Sequence, residues 1–103
     1  MSLERVINAL VYLGLSRMEA EVYVYLTKEN PKGIGNLEKS LKYANKELRF
    51  CLKNLQDVGI VTAKMEKQIV FSALPFEEAL DLLIKMKKKQ TQVMQKKENR
   101  DIL

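Results

Sequence analysis

The chain contains no histidine and a single cysteine, Cys51. Without histidine it lacks the commonest general base and the commonest zinc ligand. One thiol forms no intramolecular disulfide and no cysteine-based metal cage. Apolar runs are short as well, none near the roughly 20 residues that cross a bilayer. The opening Met1-Ser2-Leu3-Glu4-Arg5 carries an acid where a secretory leader needs a basic region followed by a continuous apolar stretch. These absences predict a cytoplasmic protein with no membrane partner, no metal, no cofactor and no enzymatic activity. Cys51 falls among Leu48, Leu52 and Leu55 at helical spacing, where a thiol packs as a small apolar side chain. Glu77, Glu78 and Asp81 form the densest acidic group, but acids in a first helical turn answer the macrodipole.

What is present is a chain of 103 residues, 47% hydrophobic and 30% charged, enough for one small domain with a modest core. The net charge is +5, and its distribution carries more than its size. Lys39, Lys42, Lys46, Arg49 and Lys53 crowd one short stretch against the single acid Glu47. The rest of the chain is nearly balanced.

Hydrophobic spacing predicts the elements. Leu3, Val6, Ile7, Leu10 and Leu13 mark one face of a helix, and Gly14 is suited to end it. Ser16-Arg17-Met18-Glu19 reads as a capping box for a second helix to about Lys28, broken by Asn30-Pro31-Lys32-Gly33. After an extended link at Ile34, a brief helix is expected over about Asn36–Leu41. A fourth follows from about Asn45, taken as its N-cap, to Asp57, with Gly59 past its end. Residues 60–74 switch to β-prone runs around a polar turn at Glu66-Lys67. Pro75 restarts a helix whose pattern persists to about Lys97. The expected fold is mainly α with a small β-hairpin: a winged helix-turn-helix over residues 1–75, then a long C-terminal helix over 76–103.

At about 100° per residue, the fourth helix turns Leu48, Cys51, Leu52 and Leu55 one way. Lys46, Arg49 and Lys53 share a sector on the other side, with Asn45 at its edge. In a helix-turn-helix the second helix enters the major groove, where arginine or lysine meets guanine and asparagine meets adenine. Cations there also displace counterions from phosphate. Basic residues on an exposed helix face are often merely solvated. The short helix pair, the hairpin directly after it and the local charge together favour duplex DNA. The expected contacts are Lys42, Asn45, Lys46, Arg49 and Lys53, with Lys64 and Lys67 flanking the hairpin turn. Phe50 lies near the basic sector, where it could meet a thymine methyl, pack under the wing or join a protein interface; packing is favoured.

Ala79, Leu83, Met86, Gln90 and Val93 form a stripe suited to pairing two copies as a short coiled coil. Alternatively Leu80, Leu83 and Ile84 fold back on Leu3–Leu13 within one chain, and both can hold, with fold-back in the first half of the stripe and pairing in the second. Lys85, Lys87, Lys88 and Lys89 read as a solvated face.

Leu13-Gly14-Leu15-Ser16 with Glu19-Ala20-Glu21-Val22-Tyr23 resembles the TrmB family of archaeal transcriptional regulators. So does Leu52-Lys53-Asn54-Leu55 with Val58-Gly59-Ile60-Val61, and Ala73-Leu74-Pro75-Phe76-Glu77-Glu78-Ala79-Leu80. The resemblance covers about residues 3–85; its middle segment is shared with other winged helices, including the MarR and ArsR types. It implies operator binding as a homodimer and control of sugar-uptake or metabolic genes. The family's recognition helix often opens with proline, arginine and serine and carries a tyrosine one turn on. Ala44, Asn45, Lys46 and Arg49 stand at those positions, so the contacting residue types differ and the operator does not carry over. Relatives also carry a sugar-binding domain after the long helix; no effector-binding residue is assigned in this chain. The competing reading is a winged helix that docks on protein without binding DNA.

Overall fold

A computed structural model describes residues 3–29 and 31–102, with side-chain surroundings as far as Lys89. Its order is α1 (Leu3–Tyr12), α2 (Arg17–Glu29), α3 (Ile34–Leu41), α4 (Asn45–Val58), β1 (Val61–Met65), β2 (Ile69–Ala73) and α5 (Phe76–Ile102). The expected architecture of five helices and one hairpin is present. Among the described residues no helix is long and apolar enough to cross a membrane.

α1 buries Ile7 and Leu10, and the chain turns at Gly14 with φ +116°, a conformation that side-chain-bearing residues rarely adopt. The capping box forms as expected. The Glu19 amide donates to Ser16 Oγ at 3.1 Å, and the Ser16 amide donates to Glu19 Oε1 at 2.9 Å. Arg17 then clips α2 to α1 through Glu4 at 2.9 Å. α2 buries Ala20, Val22, Tyr23, Val24 and Leu26, more than one face, because α1, α3, α4 and β2 all pack around it.

Two boundaries differ from the sequence reading. α3 begins at Ile34, not near Asn36, because Gly33 takes the N-cap place and its carbonyl accepts from the Asn36 and Leu37 amides at 3.2 and 3.3 Å. Asn45 does not cap α4. Ala44 holds that position and its carbonyl accepts from Leu48 at 3.0 Å, while Asn45 sits inside the helix. Between α3 and α4 the chain reverses through Lys42 in the left-handed region at φ 59°. α4 closes at Gly59, φ +96°, whose amide donates to the Leu55 carbonyl at 3.1 Å.

β1 and β2 pair antiparallel from Val61↔Ala73 to Met65↔Ile69, around an exposed turn at Glu66, Lys67 and Gln68. β2 is also paired on its far edge. Lys32, in the link before α3, exchanges two backbone hydrogen bonds with Phe71, at 3.0 and 2.7 Å. The core is a cluster of apolar side chains from every element up to β1 and from α5, with Leu10, Tyr23, Leu26, Leu37, Leu48, Leu55 and Ile60 fully enclosed.

α5 starts directly after Pro75 and buries Ala79 and Leu83 in that same core. Leu83 therefore follows the fold-back alternative, and the placement of Ala79 in a pairing stripe is corrected: their surface is already taken within one chain. Met86 and Ile84 are each 39% exposed. Gln90 and Val93 lie outside the residues whose side chains are described. Lys87 is not simply solvated. It donates to the Tyr12 carbonyl at 3.0 Å, with its ammonium 3.8 Å from the centre of the Tyr12 ring.

Candidate nucleic-acid interface

α4 is positioned from three sides. Its Leu48, Cys51, Leu52 and Leu55 are buried, which fixes the rotation of the helix and sends the opposite face outward. At its start, the Asn45 amide donates across the turn to Glu38 of α3 at 2.7 Å. Further along, Asn54 donates to Glu19 Oε2 at 2.9 Å, while the other oxygen of Glu19 completes the cap of α2. One carboxylate thus serves the α2 cap and the placement of α4. Tyr43, in the turn, donates to Glu21 of α2, and that bond, with burial second, pushes its pKa up to about 12.

The outward face carries what the sequence placed there. Lys46, Arg49 and Lys53 are exposed, as are Lys42 in the turn and Lys64 and Lys67 on the hairpin. Among the described residues none of these six cations forms a salt bridge. Their charge is left for solvent or for an external anion. Asn45 is half-buried, and its bond to Glu38 gives it a part in holding the turn. Asp57, which the sequence reading did not weigh, follows one turn after Lys53 on the same exposed sector.

Two apolar members of α4 behave differently. Cys51 is buried, and burial, with Glu19 and Glu47 nearby, pushes its thiol above the ordinary range. That agrees with packing over reactivity. Phe50 is 67% exposed, so the expectation that it packs is overturned. The core side of α4 is filled by the leucines and Cys51, and no other element covers the ring. Phe50 stands at the lip of an open cleft of about 1080 Å³ between α4 and the α1–α2 turn at Gly14, Leu15 and Ser16.

A short helix pair whose second helix turns a cationic face outward, followed by a hairpin tied back to the link before the pair, defines a winged helix-turn-helix domain. The family model described as sugar-specific transcriptional regulator TrmB matches residues 10–77, and the chain belongs to that family. The matched span runs from the end of α1 through the hairpin into the first turn of α5. Comparison with curated proteins and with solved structures gave no significant match. The family is one of DNA-binding transcriptional regulators, not of enzymes.

Proposed function

We propose that the protein is a homodimeric, sequence-specific regulator that lays α4 in the major groove of duplex DNA and rests the hairpin on the adjoining backbone as a wing. The observation that carries this reading is the exposed set Lys46, Arg49 and Lys53, without a salt bridge among the described residues, on a helix whose other face is locked into the core. Arg49 and Lys46 reach base edges, Lys53 and Lys42 reach phosphates, and Asn45 lies at the groove edge. Lys64 and Lys67 meet the backbone beside them.

Residues 1–75 form the DNA-binding unit, and α5 supplies the pairing surface. Because Ala79 and Leu83 are used inside the chain, pairing falls to Met86 and the residues that follow it, Gln90 and Val93 included. Two copies joined in this way would set their α4 helices about one DNA turn apart, matching a two-fold-symmetric site.

The exposed ring of Phe50 supports a second reading, in which α4 docks on an acidic protein. A salt titration against random duplex DNA separates the two. A regulator loses affinity steeply as salt rises, whereas a docking module binds hardly at all. In the DNA-binding case Arg49→Ala weakens the preferred duplex by about 1–3 kcal/mol. Unchanged affinity in that variant removes Arg49 from the interface.

A further inference from the structure

We propose that Phe50 is a specificity-determining residue for thymine, its ring meeting the C5-methyl group of one thymine in the major groove; this rests on the DNA-binding reading above.

Three observations converge on the ring. It is 67% exposed, although the chain offers a fully apolar interior one quarter-turn away at Cys51. Along the helix axis it lies between Lys46, four residues before it, and Lys53, three residues after it. All three fall within about 60° of one another on the outermost line of α4. And the orientation of that line is not free to relax. Leu48, Leu52 and Leu55 anchor it from below, Glu38 holds Asn45 and Glu19 holds Asn54. A large apolar ring is thus held outward between cations.

Its occupant has to satisfy both neighbours and ring. The flanking lysines call for an anionic partner, and the ring calls for an apolar group set between the negative charges. A DNA duplex presents that combination. Its phosphates line the rim, and the thymine C5-methyl is the apolar feature of the major-groove floor. Cytosine carries only hydrogen at the same carbon, and the purines present N7 as an acceptor, with no methyl. Phe50 donates and accepts no hydrogen bond, so it adds discrimination at a pyrimidine position while Lys46 and Arg49 read neighbouring bases.

The test uses the duplex that the wild-type protein selects from a random pool, resynthesised with deoxyuridine replacing thymine one position at a time. That replacement removes the methyl group and nothing else. At one thymine in each half-site the wild-type protein should lose about fourfold in affinity, the ratio that one buried methyl contributes. Phe50→Ala should bind the thymine and deoxyuridine duplexes equally, with an unchanged far-ultraviolet spectrum because the ring takes no part in the core. Placing 5-methylcytosine opposite guanine at a cytosine neighbouring that position should not substitute for the thymine.

Wild-type affinity that is indifferent to deoxyuridine at every position, with steep salt dependence retained, overturns the role of Phe50 and leaves the DNA-binding reading standing. Discrimination that survives in Phe50→Ala assigns the methyl contact to another side chain. Absence of salt-dependent duplex binding in the wild-type protein sinks this inference together with the reading beneath it, and points to a protein partner for the ring.

Discussion

Tyr23 has no exposed surface, and its hydroxyl donates to the Leu74 carbonyl at 2.6 Å, joining the central helix to the segment that leads into α5. Burial, and secondarily the charge of Glu78, raises its pKa to about 12. Tyr43 reaches a similar value through its bond to Glu21. A phenol with a higher pKa in the folded chain than in the unfolded one binds its proton more tightly when folded. That contribution to stability is complete below about pH 10 and is lost as pH rises through about 12. Urea denaturation midpoints should therefore fall across that alkaline window. Tyr23→Phe should flatten the fall while costing about 1–2 kcal/mol at neutral pH, because the part-buried Leu74 carbonyl loses its donor. A variant whose midpoint tracks the wild type at every pH would contradict this account. Little of it was legible in the sequence. The periodicity put Tyr23 on an apolar face, but its acceptor lies 51 residues away. Likewise Glu19 reads plainly as a capping residue, whereas its second bond, to Asn54, depends on how α2 and α4 cross. The wheel puts Phe50 on the correct side of its helix, whereas the general cost of exposing a ring favours packing. Its surroundings decide otherwise.

At the scale of elements, the boundaries that side chains or positive φ dictate are readable, and the others are not. Gly14, Gly59, the Ser16–Glu19 box and the alternation of the hairpin all announce themselves. The starts of α3 and α4 do not, since Gly33 and Ala44 cap them through backbone carbonyls with no side-chain hydrogen bond. The glycines offer a paired measurement. Gly59 has φ +96° and open space beside it, the nearest atom to an added Cβ being Leu82 Cδ1 at 4.0 Å, so Gly59→Ala meets strain without a clash. It should cost about 1–2 kcal/mol. Gly35 lies in α3 with nothing within 4 Å of an added Cβ and no positive φ. Gly35→Ala should gain about 0.5–1 kcal/mol from helix propensity and a less flexible unfolded chain. Chemical denaturation of the two variants checks the opposite signs; equal signs would mean that the α4–β1 joint is not held as described.

For the whole molecule, the proposed pairing would give α5 two duties. Its opening turns complete the core through Ala79 and Leu83, and Lys87 fastens it against the end of α1 at Tyr12. Met86, still 39% exposed, is then the first described member of the stripe available to a second copy. Met86→Lys should shift sedimentation toward the monomer with the thermal transition little changed, whereas Ala79→Lys should abolish cooperative unfolding by forcing a charge into the core. A dimer that persists in Met86→Lys would move the pairing surface elsewhere. The sequence offered a division of the stripe, first half folded back and second half paired, but could not decide it, because apolar periodicity is the same whether the covering surface belongs to the same chain or to another.

The short pairing of Lys32 with Phe71 has a mechanical corollary. From α3 the chain runs through α4, Gly59 and β1 to β2, and β2 is stitched back to the residue just ahead of α3. The route closes into a ring, so hairpin and helix pair turn as one body and neither swings alone. Under the proposed mode of binding, a target on DNA would have to present its two patches of contact at a single preset offset, and one base pair slipped between those patches would throw them out of step.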